Sequence, residues 1–206
     1  METEKKLILV LPELCTGCKS CEYSCAVEHS KSKDRYFATL EKPSPIPRIR
    51  VLLVDSYTVP MRCQHCSDAP CLAVCPTKAI SQTPEGFILI NDNRCIGCFM
   101  CAEACPFGAI KIHPELKIAV KCDFCVDRVR AGLLPACVEA CPTGALKFGT
   151  INELMSTVAS KKAKEMLKRL ASEGITSVFA KATQTKIEET ISPTTLREMY
   201  QSVGWV

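Results

Sequence analysis

Two segments of the chain share one alternation of apolar and polar positions. Residues 76–92 read PTKAISQTPEGFILIND and residues 106–121 read PFGAIKIHPELKIAVK. In each, two short apolar-rich runs flank a polar four, TPEG or HPEL, of turn composition. The pattern predicts strand, turn and strand. A third copy, PTGALKFG (142–149), begins the same way. Upstream, KPSPIPRIRVLLVD (42–55) joins a proline-rich turn to an apolar run and predicts an inserted loop and hairpin. After residue 150 the period changes to that of a helix. Ile151, Leu154, Met155, Val158, Met166, Leu167 and Leu170 fall on one stripe. Thr150 and Glu153 form a T-x-x-E capping box, and Gly174 suits a helix stop. A second short helix is expected to start at Ser192-Pro193.

Each repeated segment leads out of a cysteine group, and two lead into the next. The groups are CTGCKSCEYSC (15–25), CQHCSDAPCLAVCP (63–76), CIGCFMCAEACP (95–106) and CDFCVDRVRAGLLPACVEACP (122–142). The third is C-x2-C-x2-C-x3-C-P. The second widens the middle gap to four residues and the fourth to eleven, while the first has Ala26 where the others have proline. One unit is therefore written four times.

Composition sharpens this reading. Sixteen of 206 residues are cysteine, against one Trp, four Tyr and seven Phe. The aromatic core is thin, so disulfides or metals must help to hold the fold. The N-terminal run METEKKLILVLPELC is too short and badly flanked for a signal peptide, and no stretch approaches a membrane span. A cytoplasmic protein is expected, and there disulfides are rare. Structural zinc would take paired C-x2-C units, two per tetrahedral site. Neither the i, i+3, i+6 triplets nor the closing C-P is needed for zinc, whereas such a triplet wraps three corners of a cubane. Four [4Fe-4S] clusters are the expected cofactors. The formal charge of +4 counts no thiolates. With four clusters at roughly −2 each, the loaded protein would sit near −4. No basic stripe carries interleaved aromatics, so nucleic-acid binding is not expected.

In two-cluster ferredoxins the fourth cysteine of such a run ligates the other cluster. Cys25 is therefore expected to serve a different cluster from Cys15, Cys18 and Cys21. Four groups can be paired in three ways, and spacing alone does not choose among them.

The order of groups, the widened second group and the run KCDFCVDRVRAGLLPACVEACPTGAL resemble the four-cluster iron–sulfur subunits of redox complexes. These include the electron-transfer subunits of formate dehydrogenases and dimethyl sulfoxide reductases. The resemblance covers residues 7 to 149 and implies an α+β fold of two ferredoxin-like modules, each binding two clusters, with short hairpins and helices. It pairs the outer groups (1–25 with 116–150) and the inner ones (60–115), leaving 26–59 as an insertion and 151–206 as a mainly helical tail. The implied ligand sets are Cys15, Cys18, Cys21 with Cys141; Cys122, Cys125, Cys137 with Cys25; Cys63, Cys66, Cys71 with Cys105; and Cys95, Cys98, Cys101 with Cys75. CTGCKSCEYSCAVEHSKSK, followed by PRIRV and CQHCSDAPC, looks most like the subunit that accompanies carbon monoxide dehydrogenase. Formate and aldehyde oxidoreductase subunits are close to it.

The resemblance implies a non-catalytic electron-transfer subunit of a hetero-oligomeric complex, placed between a catalytic redox subunit and a second redox protein such as a hydrogenase or flavin oxidoreductase. No nucleophile with a base and no nucleotide-binding glycine loop is present. A free polyferredoxin carrier and a zinc-bound structural protein are the competing classes. Arg62, Arg94 and Lys121 each precede a group and could raise cluster potentials. Long cationic chains mostly reach water, so solvent exposure is expected of them. His29, His65 and His113 read as loop histidines, not ligands. The tail stripe either packs on its own domain or, with Met155, Met166 and Met199, docks a partner.

Overall fold

The closing C-P of three groups sets a recurring turn. Proline cannot donate the next helical hydrogen bond, so the helix before it stops. The third residue after the cysteine is then left-handed: Lys78 (φ 51°), Gly108 (φ 54°) and Gly144 (φ 66°). Each donates its N–H back to the cysteine carbonyl, at 3.2, 3.1 and 3.3 Å from Cys75, Cys105 and Cys141. A buried alanine follows, Ala79, Ala109 or Ala145, and then a buried Ile80, Ile110 or Leu146. In this way every copy drives an apolar strand into the core directly after its last cysteine.

The computed structural model describes residues 5–172, with side chains to residue 169. The expected stop at Gly174, the helix at Ser192-Pro193, Met199 and the side chain of Leu170 lie outside the described residues. In chain order the strands are β1 (Lys6–Val10), β2 (Arg50–Val54), β3 (Tyr57–Met61), β4 (Ile80–Gln82), β5 (Ile88–Ile90), β6 (Lys111–Ile112), β7 (Ala119–Val120) and β8 (Leu146–Thr150). The helices are α1 (Ser20–Glu28), α2 (Pro70–Ala73), α3 (Met100–Glu103), α4 (Val126–Arg130), α5 (Ala136–Glu139) and α6 (Ile151–Ser172).

Among the described residues the strands form four two-stranded antiparallel sheets, β1–β8, β2–β3, β4–β5 and β6–β7. The TPEG and HPEL segments make the expected turns, with Ile80 opposite Ile90 and Lys111 opposite Val120. The insertion carries the expected hairpin, β2–β3. The fourth sheet joins the two ends of the cysteine region: Ile8 lies opposite Phe148 and Val10 opposite Leu146. α1 packs against α5, and α2 against α3.

Residues 1–154 form one compact unit and 155–206 a second. Within the first, Ile8, Ile49, Phe87, Phe124 and Leu146 gather around Cys21, Cys25 and Cys137. A second cluster of Ile80, Ile88, Ile110 and Ala119 surrounds Cys71 and Cys101. The helix α6 opens with the expected capping box: Thr150 N–H donates to Glu153 Oε2 at 2.8 Å, and Glu153 N–H to Thr150 Oγ1 at 3.4 Å. Leu154 is 4% exposed, whereas Ile151, Met155, Met166 and Leu167 are exposed.

Candidate metal centres

Each group begins with the same backbone device. The third residue of its first C-x-x-C is left-handed: Gly17 (φ 71°), His65 (φ 49°), Gly97 (φ 69°) and Phe124 (φ 67°). At two of the four the N–H turns toward the group's first sulfur. His65 N–H lies 3.4 Å from Cys63 Sγ, and Phe124 N–H lies 3.4 Å from Cys122 Sγ. At Gly97 the conformation has a second cause, since a Cβ there would meet the Lys117 carbonyl oxygen at 2.4 Å. Such N–H···S bonds stabilise a thiolate and tune whatever it binds.

All sixteen cysteines are free thiols. The fold brings them together across groups, and the thiols that raise one another show how. Burial pushes the Cys21 thiol up to about 12, and its thiol neighbours are Cys141 and Cys15. Burial likewise pushes Cys122 and Cys125 up to about 12 and Cys137 well up, with Cys25 acting on all three. Cys71 is raised by burial and by Cys63, Cys105 and Cys101. Cys101 is raised by burial and by Cys95, Cys75 and Cys98. Thiols of different groups thus act on one another: Cys21 with Cys141, Cys25 with Cys122, Cys125 and Cys137, Cys71 with Cys105 and Cys101, and Cys101 with Cys75.

Exposure grades these sets. Cys25, Cys122, Cys125 and Cys137 are all buried, whereas Cys18 and Cys98 reach the surface. Cys63 and Cys122 share a small apolar cluster with Ala109, against which Cys105 packs. Ser20 hydrogen bonds hold the exposed Cys18 below its ordinary value. At Cys75 and Cys141 burial pushes upward, but bonds from Thr77 and Thr143 and from backbone N–H groups outweigh it, and both are lowered. The threonines occupy the same place in two copies of the repeat, with Sγ···Oγ1 separations of 3.7 and 3.8 Å.

Group one departs from this scheme where Ala26 replaces proline. Without the stop, α1 runs on for nine residues. Cys25 Sγ therefore accepts from Arg48 N–H, in the insertion, at 3.2 Å. His29 ends this helix and is not a simple loop histidine. Its Nδ1 lies 2.6 Å from the Cys25 carbonyl oxygen and its Nε2 3.0 Å from Asp123 Oδ1, while Arg48 Nη1 donates to Asp123 Oδ2 at 2.7 Å. Asp123 lies inside the fourth group and Arg48 in the PRIRV run, and nothing in either stretch signals that they meet His29. His29, Asp123 and Cys125 place ligand atoms within 4.8 Å of one another. A metal there would draw Cys125 out of its thiol set.

One expectation about polar residues is corrected. Arg62 and Lys121 do not reach water; each is 3% exposed, and only Arg94 of the three flanking cations is exposed. His65 is buried between Phe87 and Phe124, with its Nδ1 accepting from Ile88 N–H at 3.0 Å. Burial and the nearby Lys121 and Arg62 charges push that imidazole down to about 3. His113 is also buried and caps its turn, accepting from Glu115 and Leu116 N–H.

A profile for the 4Fe-4S dicluster domain matches residues 54–151. The thiosulfate reductase electron transfer subunit PhsB of Salmonella typhi is 38% identical over 152 residues, covering 73% of this chain and 79% of that protein. This protein belongs to the family of 4Fe-4S ferredoxin-type iron–sulfur subunits. A tetrathionate reductase subunit of Salmonella typhimurium is 38% identical over 146 residues, 71% of this chain. The matched part spans 58% of that relative's length. One component of the anaerobic dimethyl sulfoxide reductase of Escherichia coli is 36% identical over 148 residues, 68% of this chain and 71% of that one. Sixteen free cysteines fit this family's cofactors, and the protein binds four [4Fe-4S] clusters. Among the described residues no helix is long and apolar enough to cross a membrane.

Proposed function

We propose that this protein is the electron-transfer subunit of a multi-subunit oxidoreductase, passing electrons between a catalytic subunit and a second redox protein. The bound clusters supply one-electron storage. The chain's own residues hold them by thiolate, bond those sulfurs with backbone N–H groups and exclude water around the inner sets. The proposed ligand sets are the four implied by the resemblance: Cys15, Cys18, Cys21 and Cys141; Cys25, Cys122, Cys125 and Cys137; Cys63, Cys66, Cys71 and Cys105; Cys75, Cys95, Cys98 and Cys101. Two ferredoxin-like modules follow, the outer closed by β1–β8 and the inner holding the second and third groups.

One observation carries this reading. In that order the sets run from the surface at Cys18, through a set buried at all four cysteines and one buried at Cys63 and Cys71, which adjoin at Cys63 and Cys122, to the surface again at Cys98. α1 ties the first pair of sets through Cys21 and Cys25, and the last pair is tied by Cys71 in α2 and Cys75 two residues beyond its end. Such an arrangement offers an entry and an exit for electrons, and no substrate site of its own is needed.

The run CTGCKSCEYSCAVEHSKSK with PRIRV and CQHCSDAPC supports carbon monoxide dehydrogenase as the catalytic partner in the cytoplasm. Relatives named for tetrathionate, thiosulfate and dimethyl sulfoxide reductases support the general role rather than this partner. The test is anaerobic purification of the tagged chain from its native host, with identification of what stays bound. A bound catalytic oxidoreductase subunit whose substrate reduces the clusters is the expected result. A formate or aldehyde oxidoreductase there would replace the partner but keep the role. A chain that purifies alone, yet exchanges electrons with added redox proteins, would make it a free polyferredoxin carrier.

A further inference from the structure

Arg62 and Lys121 stand at equivalent places in the repeat, each directly after a hairpin's last strand and directly before a group's first cysteine. Both are buried, and among the described residues neither pairs with a carboxylate. Their donors meet backbone carbonyls instead. Arg62 Nη1 donates to Cys63 O at 2.6 Å and Nη2 to Ile8 O. Lys121 Nζ donates to Cys122 O at 2.9 Å and to Ile88 O. A cation removed from water without an anion is costly, so these two need a countercharge that the protein's carboxylates do not supply.

Besides the carbonyl of its own group's first cysteine, each cation meets a residue that packs on the other group. The Arg62 guanidinium lies over the ring of Phe124, 5.9 Å from its centroid, inside the loop between Cys122 and Cys125. Lys121 holds the carbonyl of Ile88, whose N–H is bound by His65, inside the loop between Cys63 and Cys66. The two loops adjoin where Cys63, Cys122 and Ala109 pack together.

We propose that Arg62 and Lys121 are crossed internal countercharges. Arg62 holds up the reduction potential of the cluster on Cys25, Cys122, Cys125 and Cys137, and Lys121 that of the cluster on Cys63, Cys66, Cys71 and Cys105. A fixed cation favours the more negative, reduced state of the cluster that it faces. Among the described residues the two terminal sets have no buried cation in that place, since Leu14 precedes Cys15 and Arg94 is exposed. The two middle clusters are thereby set apart in potential from the terminal ones. This inference rests on the ligand sets proposed above.

The test is a reductive titration of the anaerobically loaded protein, followed by electron paramagnetic resonance, with Arg62→Gln and Lys121→Gln. Glutamine keeps a donor for the carbonyls and removes the charge. Arg62→Gln is expected to lower one midpoint by at least about 59 mV, a tenfold change in that cluster's reduction equilibrium. The signal that moves should be the one altered by Cys137→Ala. Lys121→Gln should move the signal altered by Cys71→Ala. Midpoints that stay in place at full iron content, or shifts in the cluster of the sequence-adjacent group, overturn the proposal. If a glutamine variant fails to load iron, Arg62→Lys or Lys121→Arg decides. Restored loading with wild-type midpoints supports a role for charge; continued loss overturns it. A wild-type protein with fewer than four clusters, or Cys137→Ala and Cys71→Ala altering one common signal, would instead defeat the ligand sets themselves.

Discussion

His29 Nε2 lies 3.0 Å from Asp123 Oδ1, joining the end of α1 to the fourth cysteine group across 94 residues. Burial pushes the imidazole down, but the Asp123 hydrogen bond and charge outweigh it and raise it to about 10. Burial pushes the carboxyl up, and His29 and Arg48 together hold it well below its ordinary range. The sign of the pH dependence follows. His29 contributes stability fully below its unfolded value of about 6.5 and loses it as pH rises towards about 10. Asp123 contributes above its unfolded value of about 4 and loses it only in stronger acid. The loaded wild type should therefore lose unfolding free energy from pH 6 to pH 9. Asp123→Asn should lose about 3 kcal/mol at pH 6, as when one partner of a buried pair is removed, and should show a flatter profile above it. Denaturant unfolding at both pH values reads this. A wild type that gains stability over that range would contradict it.

Removal of iron should unfold most of the first unit. Buried cysteines are part of every apolar cluster, Cys21, Cys25 and Cys137 in one, Cys71 and Cys101 in another, and Cys63 and Cys122 in the third. Metal binding free energy is then folding free energy. Circular dichroism and hydrogen exchange after chelation should show loss of structure. A cooperative, compact apoprotein would show that side-chain packing suffices.

The left-handed turn at Gly97 is not replaceable. Gly97→Ala puts a Cβ 2.4 Å from the Lys117 carbonyl oxygen, whereas Gly108→Ala, also left-handed, meets nothing within 4 Å. The second should cost about 1–2 kcal/mol of backbone strain. The first should cost more and lower iron content in the third group. Equal effects from the two would show that the contact is unimportant.

The tail divides inside α6. Truncation after Leu154 should keep all four clusters and weaken association with the physiological partner, since Met155, Met166 and Leu167 are exposed. Truncation after Thr150 also removes the buried Leu154, which should cost a further loss of about 2–5 kcal/mol, in the range of buried leucine deletions. Iron content, unfolding and co-purification separate these effects. Unchanged partner binding without the tail would rule out docking through it.

What the sequence made legible was local. TPEG and HPEL announced hairpins because turn residues act within four positions, and Thr150 with Glu153 announced a helix start for the same reason. The cysteine runs announced clusters because ligand spacing is itself local. The β1–β8 pair was hidden, because KLILV has no signal that names LKFGT as its partner. The burial of Arg62 was hidden for a related reason. Its accepting carbonyl belongs to Ile8, in a distant strand, and a carbonyl carries no residue identity to read. His29 and Asp123 looked ordinary because each acquires its role from the other. Ala26 was visible as a missing proline, but its effect, a longer α1 that hands Cys25 to Arg48 N–H, required the fold.

The proposed crossing, in which the fourth cysteine of each group serves another group's cluster, is tested most directly at Cys25. Cys25 is four residues from Cys21, yet its charge acts on Cys122, Cys125 and Cys137. The measurement is a count of intact cubanes, by iron analysis and electron paramagnetic resonance, in Cys21→Ala, Cys25→Ala and the double variant. Each single substitution should damage one cluster, leaving a three-iron centre or an empty site. The double variant should damage two, because the two cysteines belong to different sets. A double variant that damages only one would place Cys21 and Cys25 on the same cluster and contradict the crossed account.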